Sequence, residues 1–306
     1  SMRGIYVAYC HEDGSMKDDS ILYKFAHDDY LLMPSDIDHS AYLDSFREHL
    51  DISPKDLSIT DCTDQWHGVA VQGPQSASIL ASMGFNQVNQ LKPFEVRQYA
   101  ISGADIVVAR MGFTADLGYE VWFQSDFTPT FQTLIQGARD AQKLAIPAYG
   151  LTALEACRLE GAFIVAGWDF STEANHDPAF SRSPFEVGLG WLVNLNEDDF
   201  VGRDALIAQN THGQRFVLRQ FKIGKHCDVE DGLAVYAMVN DLEENIGSVN
   251  CSAWSWELNS LIGNLSIFKT YSECTEAWVL VKGQRFDVTL SRGPFFNDPR
   301  RNQTPA

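Results

Sequence analysis

The sequence predicts an α+β fold in which antiparallel sheets with flanking helices precede a small, jelly-roll-like β-barrel. Near the start of the chain, turn signals separate short β-prone runs, as in an antiparallel meander. Further along, amphipathic helical segments alternate with strands. After Gly213 the composition becomes β-rich, with turn signals between the runs. We therefore predict a first region of two subdomains over residues 1–210 and a C-terminal barrel over residues 211–306.

The composition is that of a globular protein, and it limits the possible partners. Of the 306 residues, 45% are hydrophobic and 21% are charged, which is ample material for a core. A net charge of −18 argues against electrostatic binding of nucleic acid or of a membrane surface. Six cysteines are scattered without CxxC or Cys/His ligand spacing. They predict reduced thiols in a cytoplasmic protein that has no metal site.

Three antiparallel strands are predicted at the start of the chain, over residues 4–10, 20–25 and 30–33. Asp18 and Asp19 stand at the entrance to the second strand. Because adjacent strand residues point to opposite faces, only one of the two can face a given pocket. Two adjacent acidic residues can equally mark a solvated sheet edge, and the local pattern leaves both interpretations open.

The remaining elements follow from hydrophobic periodicity and turn residues. Helices are predicted over residues 36–50, 75–83, 128–142 and 150–159, and a further helix starts near residue 200. Strands are predicted over residues 66–74, 94–100 and 106–110. In the C-terminal region, the predicted strands are residues 216–221, 232–239, 246–251, 261–268 and 286–290.

One hairpin carries the clearest sign of a binding site. It runs from strand residues 106–109 through a polar tip to strand residues 119–123. Its distinctive residue is Glu120, a carboxylate among aromatic and β-branched neighbours. Such a group is costly to bury unless something pairs with it, and a flat ligand with adjacent N–H donors on one edge, such as a pterin or guanine ring, would do so. The alternative is that Glu120 alternates outward into solvent.

Several motifs together resemble one known family. The hairpin carries the residues Gly112-Phe113-Thr114 and Gly118-Tyr119-Glu120. This pattern resembles a segment of the glycine-cleavage T-protein (aminomethyltransferase) family, which includes folate-dependent demethylases. Residues 13–23, 158–161 and 183–191 resemble further blocks of that family in the same order. The resemblance implies the folate-binding aminomethyltransferase-type fold, and it implies that the usual N-terminal segment is shortened here.

The resemblance also implies roles for individual residues. Glu120 corresponds to the residue that holds the pterin ring of tetrahydrofolate. Asp19 corresponds to a carboxylate at the reacting centre, where it would support a developing cation and handle a proton. The remaining contacts with the folate would be Phe113, Tyr30, Leu32 and Trp191. From the residues alone, Trp191 could instead be a core residue, and Asp18 remains an alternative to Asp19.

Two arginines are expected at the carboxylate end of the folate. The resemblance places Arg158 and Arg219 there, since a guanidinium can bind a carboxylate through two parallel hydrogen bonds. Arg158 could equally pair with Glu160 or cap a helix end. The family has a further arginine one helical turn before Arg158, where this chain has Leu154. This departure weakens the expectation of a glycine-derived substrate.

The function that the resemblance implies is one-carbon transfer to tetrahydrofolate. The aminomethyl or methyl group would come from a small amine, a betaine or a methylated sulfur compound. The alternative is a non-catalytic folate-binding accessory or sensor protein on the same scaffold. The sequence identifies neither the donor nor a lipoyl carrier protein as partner. An exposed edge strand in a shortened N-terminal domain would favour a homodimer.

Overall fold

The computed structural model describes residues 2–35, 37–172, 177–196, 199–303 and 305. The helix start predicted at Asp36 lies outside these ranges. The described elements are two antiparallel sheets, five α-helices and a closed β-barrel. No helix of the described ranges is long and apolar enough to cross a membrane. The predicted α+β fold with a C-terminal barrel is confirmed, whereas the domain boundary at residue 210 stays a prediction.

The first sheet is the predicted N-terminal meander. Its strands are β1 (Arg3–Cys10), β2 (Met16–Lys24) and β3 (Tyr30–Pro34), antiparallel in that order. β2 begins four residues earlier than predicted, so Asp18 and Asp19 lie inside the strand. The register pairs Asp19 with Ala8 and Asp18 with Tyr9, which places the two carboxylates on opposite faces of the sheet.

The second sheet contains the predicted hairpin. The elements of this part are α1 (Ser40–His49), β4 (Trp66–Gln72), α2 (Ser76–Ser82), β5 (Val96–Ile101), β6 (Ala104–Ala109), β7 (Gly118–Gln124) and α3 (Thr128–Gln142). The strand order is β4-β7-β6-β5, and the hairpin pairing of Ala109 with Glu120 is confirmed. Along β7, Tyr119, Val121 and Phe123 are buried in the core that holds α2 and α3. Glu120 therefore points to the opposite face.

That opposite face packs against the first sheet. Tyr23, Ile21, Leu31 and Met33 of the first sheet form one hydrophobic cluster with residues of the second sheet. The members from the second sheet and its loops are Trp66, Val96, Val107, Ala109, Met111 and Trp122. Because both sheets contribute to this cluster, the faces that bear Asp19 and Glu120 are turned toward the same interior space.

The hairpin tip is fixed by the side chain of Gln72 at the end of β4. Its amide Nε2 donates to the carbonyl of Tyr119 at 3.2 Å, and its Oε1 accepts from the Thr114 hydroxyl at 3.0 Å. This side chain fills the space beside Gly112 and Gly118, where an added Cβ would overlap it. The glycines of the hairpin motif are thus required by a close approach.

The C-terminal region is a closed six-stranded barrel. After α4 (Leu151–Glu160) and α5 (Arg203–His212), its strands are β8 (Phe216–Ile223), β9 (Ala234–Val239), β10 (Leu242–Ser255), β11 (Ser260–Phe268), β12 (Glu276–Val281) and β13 (Gln284–Ser291). The order around the barrel is β10-β11-β8-β13-β12-β9. The sequence analysis missed β12, an apolar run that ends at a tight turn whose residues Lys282 and Gly283 both have positive φ.

Candidate functional site

Glu120 faces the interior between the two sheets and does not point outward into solvent. The hydroxyl of Tyr23 donates to its Oε2 at 2.9 Å. Burial raises the pKa of Glu120, and the hydrogen bond from Tyr23 opposes that rise. The nearby indole N–H of Trp122 also opposes the rise in the pKa of Glu120, although Trp122 Nε1 makes no hydrogen bond within the described residues. Among the described residues, Oε1 accepts no hydrogen bond, so Glu120 retains an acceptor for a ligand.

Tyr23 is a site residue that the sequence analysis missed. It is fully buried in β2, four residues after Asp19 and on the same face of the strand. Burial and then the charge of Glu120 raise the pKa of its hydroxyl, which keeps it a hydrogen-bond donor. The period-two spacing from Asp19 was the signal that could have identified Tyr23.

Asp19 lies on the same face of β2, about 13 Å of strand from Tyr23 at 3.3 Å per residue. The Tyr6 hydroxyl donates to its Oδ2. Burial raises the pKa of Asp19 to about 6; the hydrogen bond from Tyr6 opposes this rise, and the charge of Asp18 adds to it. Asp19 is therefore mostly ionised at neutral pH but titrates close to it. Tyr6, in β1, is a second residue that the sequence analysis missed.

Asp18 is excluded from this space because it faces the other way. It is fully buried, and its two oxygens contact Ser35 Oγ at 2.7 Å and His39 Nε2 at 2.6 Å. The interpretation of a solvated acidic edge is wrong for this residue. The structure thus separates the two adjacent acidic residues, with Asp19 toward Tyr6 and Asp18 toward the start of α1.

Trp191 and Phe113 each take part in an aromatic pair, and that of Trp191 includes Tyr6, the partner of Asp19. Trp191 is 71% exposed, which excludes the alternative of a core tryptophan. Its ring stacks on Tyr6 with a centroid distance of 6.3 Å and an interplanar angle of 25°. Phe113 is stacked on Phe163 at 5.1 Å. Each offers a flat apolar surface against which a ring can pack.

Tyr30 and Leu32 are not brought together with Asp19 and Glu120. The register pairs Tyr30 with Lys24 and Leu32 with Leu22, which places both on the face of the sheet opposite to Asp19. Tyr30 is 46% exposed and its hydroxyl donates to the carbonyl of His27. The residues that do face the space are their neighbours Leu31 and Met33. The expected pocket positions are thus displaced by one residue along β3.

Arg158 is also placed differently from the expectation of a folate contact. Its side chain is fully buried and ion-paired with Glu155 and with Asp169, the latter at 3.1 Å. It also donates to the Phe163 carbonyl just beyond α4, as a cap would. The expected pairing with Glu160 is wrong, since Glu160 accepts from Ser255. These partners occupy the guanidinium, which leaves no group to receive a ligand carboxylate.

Arg219 lies in β8, on the strand face that points into the barrel. It alternates with Leu218 and Gln220, which turn toward the first region. Its guanidinium donates to the carbonyls of Leu218 and Ser272. The structure therefore does not bring Arg219 to the space between the sheets.

A separate cleft opens beside the site. It has a volume of about 410 Å³, and its lining includes Asp116, Tyr149, Cys157 and Glu160. Burial and then the charge of Glu120 raise the pKa of Tyr149, so this cleft lies close to Glu120. Neither Glu120 nor Asp19 lines this cleft, so it is a surface beside the site and not part of it.

The arrangement places one carboxylate on each of the two sheets, on faces that share a hydrophobic cluster. Glu120 can accept from N–H donors on the edge of a flat ring, while Asp19, on the facing sheet, can stabilise a cation. Trp191 adjoins Asp19 through its stacking on Tyr6. The free acceptor of Glu120 fits the donor edge of a pterin, and the ionised Asp19 fits a centre that becomes positively charged.

Comparison with known proteins agrees with this fold. A family model described as the GCVT N-terminal domain matches residues 2–197, more than half of the chain. A probable aminomethyltransferase of Haloarcula marismortui is 31% identical over 296 residues, covering 95% of this chain and 77% of that protein. The corresponding protein of Halobacterium salinarum is 29% identical over 299 residues, with the same coverage.

Two further matches extend the range of relatives. The trimethylamine-oxide aldolase of Ruegeria pomeroyi is 29% identical over 242 residues, which is 76% of this chain and 29% of that protein. The crystal structure of the glycine cleavage system aminomethyltransferase T from Bartonella henselae superimposes with a TM-score of 0.71. It is 17% identical and covers 99% of this chain and 76% of that chain. This likeness shows the fold.

The chain belongs to the aminomethyltransferase (glycine-cleavage T-protein) family. Members of this family carry out folate-dependent one-carbon transfer. The family that the sequence motifs indicated is thereby confirmed, as is the predicted fold.

Proposed function

We propose that this protein binds tetrahydrofolate between its two sheets and transfers a one-carbon group to it from a small methylated amine, betaine or sulfur compound. The observation that carries the proposal is the placement of Glu120 and Asp19 on facing sheets around one space. Tyr23 and Tyr6 hold the two carboxylates by hydrogen bonds. The relationship to a trimethylamine-oxide aldolase is consistent with a methylated nitrogen compound as donor.

Each residue has a defined part in this proposal. Glu120 accepts hydrogen bonds from the pterin edge and so fixes the position of the ring. Trp191 and Phe113 pack against the ligand and exclude water. Asp19, held by Tyr6, stabilises positive charge that develops on the donor and can hold a proton at its carboxylate. Tetrahydrofolate supplies the nucleophilic nitrogen, and the protein supplies orientation and electrostatics.

Replacing Glu120 by glutamine is expected to weaken tetrahydrofolate binding by about 10- to 100-fold. The change removes a charged hydrogen-bond acceptor, and hydrogen bonds to charged groups contribute about 1.5–3 kcal/mol. Isothermal titration calorimetry of the wild type and of Glu120→Gln measures the difference. Glu160→Gln is the matched control, since Glu160 bonds to Ser255 of the barrel and should leave the affinity unchanged.

Three outcomes separate the alternatives. Wild-type binding that Glu120→Gln weakens, together with product from a donor panel, supports the proposed transfer. The same binding without turnover of any donor would favour the non-catalytic accessory or sensor protein. No tetrahydrofolate binding by the wild type would contradict both. A homodimer and a cytoplasmic location remain predictions beside this proposal.

A further inference from the structure

Two carboxylates lie back to back on β2, and the one on the rear face has no part in the site described above. Asp18 and Asp19 are adjacent in the strand, and the register pairs them with Tyr9 and Ala8. Their side chains therefore point to opposite faces of a single layer of sheet. Asp18 is fully buried, so salt screens its charge far less than that of a surface carboxylate. A charge in this position acts on Asp19 through the strand.

Hydrogen bonds fix the ionised form of Asp18. Its Oδ1 accepts from the Ser35 hydroxyl at 2.7 Å, and its Oδ2 lies 2.6 Å from Nε2 of His39, which is also buried. Donors on both oxygens stabilise a carboxylate against protonation. The rear face of β2 thus holds a negative charge with two fixed partners.

His39 does not cancel this charge. An imidazolium carries an N–H on each ring nitrogen and needs two hydrogen-bond acceptors when it is buried. Nδ1 of His39 is buried and has no hydrogen-bond partner within the described ranges. The geometry therefore favours a neutral imidazole with its proton on Nε2, which donates to Asp18 and leaves the pair with one negative charge.

The other groups around His39 are two tyrosines and two charged side chains. The rings of Tyr9 and Tyr42 pack on the imidazole, with centroid distances of 4.8 and 6.0 Å. Burial raises the pKa of Tyr9, so its hydroxyl stays neutral. The Lys17 ammonium lies 3.8 Å from the ring centroid of Tyr42, and Asp38 is exposed. None of these four groups pairs with Asp18, whose ion-pair partner is His39.

Asp19 responds to the charge behind it. Burial has the largest effect on its pKa, and the hydrogen bond from Tyr6 opposes that effect. Among the neighbouring charges, Asp18 raises the pKa of Asp19 the most, and the more distant Asp169 adds less. A group that must both stabilise a cation and hold a proton works best when it titrates near the working pH. The rear charge moves Asp19 in that direction.

We propose that Asp18 is a positioning residue for the transfer: its buried charge, held on the rear face of β2 by Ser35 and His39, sets how readily Asp19 gives up its proton. This rests on the proposed function, because the role of Asp19 does. Asp18 touches no ligand in this proposal and acts only through Asp19.

Carboxyl ¹³C NMR of aspartate-labelled protein tests the proposal, with Asp19→Asn to identify the Asp19 signal. Removing the rear charge in Asp18→Asn should lower the midpoint of the Asp19 titration by about 1 pH unit. His39→Lys should lower it too, because a cation then faces Asp18, and this variant gives the same test if Asp18→Asn does not fold. His39→Gln keeps both the N–H donor and the charge of Asp18, so it should leave the midpoint in place.

The pH profile of transfer gives a second readout. Since the proposed role needs ionised Asp19, Asp18→Asn should retain about fivefold more of its maximum rate at pH 5 than the wild type does. A purely structural role of Asp18 would lower the rate alike at every pH and leave the midpoint where it is. The control is Asp28→Asn, which removes an exposed charge from the same sheet and should move neither readout.

An unchanged Asp19 midpoint in Asp18→Asn or in His39→Lys would overturn the proposal. An equal shift in His39→Gln and Asp18→Asn would overturn it as well, because the charge of Asp18 would then not be the cause. The NMR titration needs no turnover. Midpoints that shift as expected in a protein that transfers no one-carbon group would therefore contradict the proposed function alone.

Discussion

Replacing Asp169 by alanine is expected to lower the free energy of unfolding by about 3–5 kcal/mol, because it breaks a buried ion pair from one side. Asp169 is fully buried, and its Oδ2 accepts from Arg158 and from the backbone N–H of Val165. Its Oδ1 accepts from the Asn250 side chain of the barrel at 3.0 Å. The alanine would leave these donors without that acceptor, so the junction between the first region and the barrel would weaken.

Urea denaturation of the wild type and of the variant measures this effect. The control is Asp228→Ala, which removes an ion pair of nearly the same length, 3.0 Å against 3.1 Å. Asp228 and Lys282 are 3.0 Å apart, but both are strongly exposed. The control should cost less than about 1 kcal/mol, as exposed pairs do. Similar losses in the two variants would contradict the role assigned to Asp169.

Replacing Asp19 by asparagine is expected to slow one-carbon transfer by about 100- to 1,000-fold, since it removes the charge that stabilises a developing cation. Tetrahydrofolate affinity should change little, because Glu120 and the aromatic walls remain. Turnover with a panel of methylated donors, compared with calorimetry on the same samples, measures the two effects. A variant that loses affinity in proportion to rate would show that Asp19 acts in binding instead.

The pH dependence follows from the pKa of Asp19. Because burial raises that pKa to about 6, the carboxylate is increasingly protonated below pH 6. The proposed role requires the ionised form, so the wild-type rate should rise with pH and level off above about pH 7. The residual rate of Asp19→Asn should lack this step.

The sequence was sufficient to predict the fold, and it singled out two carboxylates that the structure places on facing sheets. The spacing of the hairpin motif and the acidic pair of β2 led to Glu120 and Asp19. The structure then shows what the motifs leave out, namely the tyrosines that hold them. Tyr6 is distant in sequence from its partner Asp19. Tyr23 is distant in sequence from its partner Glu120 and lies in a strand whose alternation is ordinary. Only the register of β1 and β2 shows that they share a face with Asp19.

Other expected contacts lie away from the two carboxylates, and the causes are physical. In β3, Tyr30 and Leu32 were assigned from a resemblance that did not fix the register. A shift by one residue moves every side chain of a strand to the other face. For Arg158, the partner Asp169 lies eleven residues away in a loop, so pairing could not be inferred from helical spacing.

The most direct test is a crystal structure of the protein with tetrahydrofolate bound. The account predicts that the pterin edge lies against Glu120 and that the reacting nitrogen lies toward Asp19, with Trp191 and Phe113 against the ligand. A ligand bound instead in the cleft of Asp116, Tyr149 and Cys157, away from both carboxylates, would contradict it.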